Sequence, residues 1–457
     1  MLIGLARTIV SVGMASTDPA TRASEPLFPR LSGGPRKLAP DRVARHQKAR
    51  LQGAMVEAVS RHGYAGTTLR ELVTLAGVSK STFYEHFESK QDCFLSTCDE
   101  IIAQAGARVG EAYRSGGDFR ERLVAGLAAF MNLAAEEPAA AALATVESLA
   151  LGEAGVEARE RAAHAFEALI QQSFDNSPSD VQVSPVTVRA IVSGIRGVAY
   201  GRLRANRPQE LPPLVEQLAA WALGYQQPDS EMVTRAIAVA ERPAAEPPSP
   251  GRTAEGVPPW SEPPDSRVSR RALTQRERIL RAAARVVVDK GYAALSIPAI
   301  SGAAGVSNQT FYEHFGSKRD AFVAAFEILA GQAFGEAAAA FAREDDQPEA
   351  IAAGLRALLE HIAANELFAR LAFFELPTAG PVALDSADEK MDGFGTFLEP
   401  ATGESELGEP LPRALLEAIP NGIWNVIQHE IVHGRSADLP RLAPEVTRIA
   451  LAPFSAR

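Results

Sequence analysis

The sequence predicts an all-α protein built as a tandem duplication, each copy a three-helix head leading into an all-helical body. Three observations carry that expectation. The chain has 457 residues, beyond the ~250–300 at which a single core stops growing, so it divides into domains. Its composition is that of a globular chain, 46% hydrophobic and 22% charged, with alanine runs that favour helix. The chain also repeats itself at a fixed offset of 228 residues: Gly63-Tyr64-Ala65 returns as Gly291-Tyr292-Ala293, Ala76-Gly77-Val78-Ser79 as Ala304-Gly305-Val306-Ser307, and Thr82-Phe83-Tyr84-Glu85-His86-Phe87 as Thr310-Phe311-Tyr312-Glu313-His314-Phe315.

The repeat reaches beyond one motif, because Ala125-Gly126-Leu127 returns as Ala353-Gly354-Leu355 and Gly194-Ile195 as Gly422-Ile423. The expected organisation is a disordered tail over 1–40, a first head over 41–95, a first body over 96–240, a linker over 241–270, a second head over 271–322 and a second body over 323–457. The linker holds eight prolines between Pro243 and Pro264, with little apolar material beyond Trp260, a composition that keeps a chain semi-extended. Met1 to Met14 is mildly apolar but lacks a basic leader and a long apolar centre, so it reads as part of the tail or as a start set upstream of Met14. Pro377 to Gly408 is acidic and glycine-rich with weak periodicity, and reads as a long loop between helices.

Within the first head, Leu51, Ala54, Met55, Ala58 and Val59 recur at helical spacing and face one way. The second head repeats the stripe as Ile279, Ala282, Ala283, Val286 and Val287. Gly63 and Gly291 end these helices as C-terminal caps. Thr68 with Glu71 then fits a capping box for the next helix, whereas Ser296 caps its counterpart without a return bond from Ala299. That helix stops at Gly77 or Gly305, and Ser79 or Ser307 opens a third whose Phe83 and Phe87, or Phe311 and Phe315, lie four apart on the buried side. Helix, glycine turn, helix leaves Lys80, Ser81 and Tyr84, or Asn308, Gln309 and Tyr312, exposed near the end that enters the major groove in helix-turn-helix proteins.

These residues resemble the TetR family of regulators, over Arg42 to Phe94 and again over Thr274 to Phe322. The resemblance implies a ligand-responsive transcriptional regulator, read as a repressor, cytoplasmic, with a double-stranded DNA operator and a small-molecule effector as partners and no cofactor. It implies phosphate contacts from Thr68, Ser79, Tyr84, His86 and Lys90, and from Ser296, Ser307, Tyr312, His314 and Lys318, with Thr82 and Thr310 in the same DNA-facing run. The hydroxyls serve equally as helix caps. Lys80 suits guanine O6 and N7, while the amides of Asn308 and Gln309 suit adenine, so the heads should prefer different half-sites. Glu85 and Glu313 depart from the aromatic phosphate contact of many relatives; each either faces cytosine N4 or pairs with Lys90 or Lys318.

Charge agrees with this reading. The chain carries a formal net charge of −10, yet Arg36 to Asp92 holds ten Lys and Arg against six Asp and Glu, and Arg267 to Asp320 holds ten against four. Two basic heads on acidic bodies orient toward phosphates. Cys93 and Cys98 are the only cysteines, which excludes a disulfide framework and leaves two packing thiols. No apolar run reaches the ~18–20 residues of a membrane helix, so no membrane partner is expected. His429-Glu430-Ile431-Val432-His433 matches the His-Glu-x-x-His zinc-hydrolase pattern, but its counterpart places are Gly201, Arg202 and Ala205, and no third ligand is evident. Metal chemistry is therefore not expected, and the effector pocket has no sequence signature. The bodies should pack as an intramolecular pseudo-dimer holding the recognition helices about one DNA turn, ~34 Å, apart, or pair with a second chain to give four heads. The rival from another class is an interaction scaffold that has lost DNA readout.

Overall fold

The computed structural model describes residues 40–151, 153–177, 179–242, 274–379, 381–399, 407 and 410–455. The expected tail through residue 39 and the linker from residue 243 onward lie outside the described residues. All regular structure among the described residues is helical, as the alanine content and periodicity require. Packing separates two units, residues 1–169 with 199–219 and residues 170–198 with 220–457. This division follows contacts between helices and does not fall at the proline-rich segment that divides the repeat.

The first head comprises α1 (Pro40–Gly66), α2 (Leu69–Ala76) and α3 (Lys80–His86). Leu51, Met55 and Ala58 of α1 are fully buried, with Ala54 and Val59 nearly so, and they pack with Leu72, Phe83 and Phe94 in one apolar cluster. Gly63, at φ 66°, breaks the helical path of α1 where the sequence placed its end, and Gly77 closes α2 at φ 60°, the left-handed conformation that a side chain resists. Seven α-helices described after the head complete the first repeat: α4 (Lys90–Ser115), α5 (Phe119–Glu136), α6 (Pro138–Thr145), α7 (Glu153–Asp175), α8 (Pro185–Arg204), α9 (Val215–Gly224) and α10 (Glu231–Ala240). Between α6 and α7 lies a short 3-10 turn, Glu147–Leu151.

The second repeat reproduces the plan with α11 (Gln275–Lys290), α12 (Ile297–Ala304), α13 (Asn308–His314), α14 (Lys318–Phe341), α15 (Gln347–Ala364), α16 (Glu366–Arg370), α17 (Pro381–Thr396), α18 (Arg413–Val432) and α19 (Ala443–Ser455). A π-helical turn, Leu371–Glu375, continues from α16. Two expectations are corrected here. The stretch expected to be a loop from Pro377 contains the helix α17, whose upstream counterpart at the repeat offset is α7. Its glycines obscured it: a Cβ at Gly395 would lie 3.0 Å from the carbonyl oxygen of Leu416 in α18, so that glycine is a close-packing position, not a loop marker. In addition, α14 is long and apolar enough to cross a membrane by composition. It serves instead as a core helix, with Ala321, Phe322, Ala325, Leu329, Ala330 and Ala333 fully buried.

Inside the second unit, α8 and α18 meet in a reciprocal contact. A Cβ at Gly194 would lie 2.5 Å from the carbonyl oxygen of Ala418, and a Cβ at Gly422 would lie 2.5 Å from the carbonyl oxygen of Ala190. Ala190 and Ala418 are themselves 228 apart. Residue i of one copy touches residue j of the other and j touches i, the self-complementary pattern of a twofold interface, here within one chain.

Candidate nucleic-acid interface

The exposed face of each recognition helix is set by what its other face buries. Phe83 and Phe311 are fully buried and Phe87 and Phe315 nearly so, with ring centroids 5.6 Å apart in the first pair and 5.9 Å in the second. On a helix of 3.6 residues per turn, Ser81 and Glu85 then lie opposite the phenylalanines, flanked by Lys80 and Tyr84. The second head presents Gln309 and Glu313, flanked by Asn308 and Tyr312, in the same way. Tyr84 and Tyr312 are 53% and 60% exposed, the two most exposed large hydrophobic residues described. Each head thus holds a tyrosine in solvent at the same place on its third helix. The ammonium of Lys80 stands 5.9 Å from the Tyr84 ring, so both side chains rise from the same side of α3.

The hydroxyls act as caps. Thr68 Oγ1 accepts from the Glu71 N–H at 3.3 Å, Ser296 from Ala299 at 3.4 Å, Ser79 from Thr82 and Ser307 from Thr310 at 3.0 Å each. The Thr82 and Thr310 hydroxyls stand 2.9 and 3.0 Å from those of Ser79 and Ser307. The expected capping box at Thr68 is half made, because the Glu71 carboxylate turns to His62 Nε2 at 3.1 Å. Complete boxes stand where they were not sought, at Thr274 with Glu277 and Asp118 with Glu121; the Ser/Thr/Asp-x-x-Glu spacing was the available signal. His86 is half-buried, its Nε2 3.3 Å from Gln47 Oε1, and His314 is exposed.

Lys90 and Lys318, expected at phosphates, are drawn inward. Lys90 Nζ donates to the carbonyls of Tyr64 and Thr67 at 2.9 Å each and lies 4.2 Å from the Tyr64 ring centroid. Lys318 Nζ donates to the Leu295 carbonyl at 2.7 Å and lies 5.0 Å from the Tyr292 ring. Burial pulls the Lys90 ammonium below the ordinary lysine range. Both lysines tie the base of the following helix to the Gly-Tyr turn. Glu85 and Glu313 are thereby left without those partners, and both carboxylates are exposed.

Two further features of the bodies bear on function. A cavity of about 160 Å3 in the second unit is lined by Ser184, Thr187, Asp229, Glu445 and Arg448 among others, below the ~300–1,000 Å3 of sites for drug-sized ligands. Arg448 spans Asp229 and Glu445 at 2.9 Å each. In the His-Glu-x-x-His segment, Glu430 takes two bonds from Arg435, at 2.7 and 3.0 Å. That partner holds its carboxyl below the usual carboxylate range, the opposite of the raised affinity for protons that a general base at neutral pH requires.

Comparison with known proteins places the heads. Residues 54–97 and 279–325 each match the family model of bacterial regulatory proteins, tetR family. The chain is 34% identical over 59 residues to an uncharacterized HTH-type transcriptional regulator, YerO, of Bacillus subtilis, covering 13% of this chain and 20% of that protein. It is 31% identical over 117 residues to the HTH-type transcriptional activator FasR of Mycolicibacterium smegmatis, covering 25% of this chain and 52% of that one. The chain thus spans about a fifth and about half of the lengths of these relatives. Among solved structures, the fatty acid degradation regulator FadR from Bacillus halodurans aligns with 41% of this chain and 97% of its own at 17% identity and a TM-score of 0.37. FadR from Bacillus subtilis, solved with stearoyl-CoA, aligns with 38% and 96% at 16% identity and a TM-score of 0.35. Both heads are therefore similar to the bacterial regulatory proteins of the tetR family over the two matched segments.

Proposed function

We propose that the chain is a ligand-responsive transcriptional regulator, acting as a repressor, in which two unlike heads of one polypeptide read the two halves of an operator. The observation that carries this reading is the paired exposure of Tyr84 and Tyr312 on recognition helices whose other face is locked by buried phenylalanines. The basic excess of both heads over an acidic remainder supports it, because phosphate neutralisation supplies the sequence-independent part of DNA affinity. In this reading Thr68, Ser79 and Tyr84, with Ser296, Ser307 and Tyr312, hold phosphates and fix register. Lys80 reads guanine, and Asn308 and Gln309 read adenine. Glu85 and Glu313, on the outermost line of each helix and free of Lys90 and Lys318, accept from cytosine N4.

The reciprocal glycine seam of α8 and α18 supports an intramolecular pseudo-dimer, since it supplies inside one chain the twofold contact that a regulator of this type otherwise makes with a second copy. An effector would act by favouring a head arrangement that no longer fits the operator. The test is selection of bound sequences from random duplex DNA with the full-length protein at low salt. Two unlike half-sites at fixed spacing are expected, with affinity falling steeply as salt rises. Absence of any enriched duplex would favour the interaction scaffold, and a palindromic site alone would remove the unlike-heads reading.

A further inference from the structure

Each body reaches into its own head through one carboxylate at the same place in the repeat. In the first unit Glu147, the first residue of the 3-10 turn, accepts the backbone N–H of Tyr64 at Oε2 over 3.0 Å. In the second unit Glu375, the last residue of the π-helical turn, accepts the N–H of Tyr292 at 2.8 Å. The two glutamates are 228 apart, as are the two tyrosines, although the turns that present the carboxylates belong to different helix types. The bond answers a specific need. Gly63 and Gly291, at φ 66° and 78°, turn the chain sharply out of the first helix of each head and leave the next N–H without an intrahelical partner. A carboxylate satisfies that donor with a charge-assisted bond.

The other side of the same turn is held by Lys90 or Lys318, through the carbonyl contacts and ring contacts already described, and those lysines open the helix directly after the recognition helix. Body carboxylate, Gly-Tyr turn and lysine thus form a continuous chain ending at the start of the helix that directly follows the recognition helix. We propose that Glu147 and Glu375 are positioning residues that transmit the state of each body to its own head, so that movement of either short turn re-aims one recognition helix. The DNA part of this inference rests on the reading above; the positioning part does not.

The experiment compares the full-length protein with Glu147→Ala, Glu375→Ala, Glu147→Gln and Glu375→Gln. Glutamine keeps an acceptor oxygen; alanine does not. Amide hydrogen exchange followed by mass spectrometry is expected to rise across 63–90 in Glu147→Ala and across 291–318 in Glu375→Ala, reaching the recognition helix each time. The other head should stay unchanged, and the Gln variants should fall back toward wild type. On duplex selected by the wild-type chain, each Ala variant should lose protection of one half-site, with affinity for that half down about tenfold, the size of one hydrogen bond to a charged group. Increased exchange confined to the Gly-Tyr turn, or unchanged exchange in the recognition helix, would overturn the proposal even if DNA binds. Failure of the wild type to select any duplex would instead remove the DNA reading, while the exchange result would still decide whether the carboxylates position the heads.

Discussion

The two heads bury corresponding side chains at their core positions, while their exposed faces agree in part and differ in part. Leu51, Met55 and Phe83 of the first have Ile279, Ala283 and Phe311 at the same places in the second, all fully buried. Even the cations that cover the recognition-helix phenylalanine correspond: Lys48 stands 5.9 Å from the Phe87 ring and Arg276 5.2 Å from that of Phe315. On the outer face, by contrast, Lys80 and Ser81 give way to Asn308 and Gln309, while tyrosine and glutamate stay. Packing restricts the inner face to apolar groups of suitable volume. No such restriction acts on the outer face, which is free to diverge. On the proposed reading, the change from Lys80 and Ser81 to Asn308 and Gln309 would give the two heads different half-site preferences.

The strongest way to break the comparison is to remove one buried phenylalanine at a time. Phe83→Ala and Phe311→Ala should each cost about 3–5 kcal/mol by leaving a cavity in a small core. Hydrogen exchange should rise through 51–94 in the first case and 279–322 in the second, and footprinting on selected duplex should lose one half-site each time. Loss of both halves with either variant would show that the heads fold as one cooperative unit and would end their description as independent readers.

This pattern also explains which parts of the architecture were legible in the sequence. The burial stripes, the glycine turns and the caps at Thr68, Ser79, Ser296 and Ser307 each rest on a local rule, and each is found in place. The helix α17 was missed because Gly393 and Gly395 weaken periodicity, and glycine chosen for close approach to another helix looks in sequence like glycine chosen for a turn. The inward course of Lys90 was equally hidden. A lysine three residues after a recognition-helix phenylalanine looks like a phosphate contact until the carbonyls of Tyr64 and Thr67 are seen beneath it. Carboxylates such as Glu147, 83 residues from their partners, have no local signal at all; only their recurrence at the 228 offset could have drawn notice.

Exchanging the reading surfaces sharpens the comparison. The double substitution Lys80→Asn with Ser81→Gln gives the first head the outer face of the second, leaving Tyr84, Glu85 and the core intact. Selection from random duplex should then yield two like half-sites, with affinity for the original operator reduced by about 1–3 kcal/mol for the altered base contact. Thermal stability should be unchanged within about 0.5 kcal/mol, as for surface replacements generally. Unchanged selection would mean that specificity resides elsewhere, in the retained Glu85 and Tyr84 or in DNA shape.

The smallest expected effect exploits an asymmetry of the cores. Cys93 and Cys98 are buried at places that Ala321 and Phe326 fill in the second repeat. Burial pushes both thiols up to about 12, against ~8.5 for a free cysteine. The folded chain therefore holds these protons more tightly than the unfolded chain does. Their contribution is fully present below the unfolded value and is lost as pH rises from about 8.5 toward 12, by about 1 kcal/mol per thiol near pH 9.5. Hydrogen exchange at pH 9.5 against pH 7.5, corrected for the intrinsic rate, should reveal weakening around 93–98 and none around 321–326. The same thiols should resist alkylation at neutral pH, since only the thiolate reacts. Rapid native-state labelling would show that α4 opens far more readily than its counterpart α14, and that the heads differ beneath their reading surfaces as well as on them.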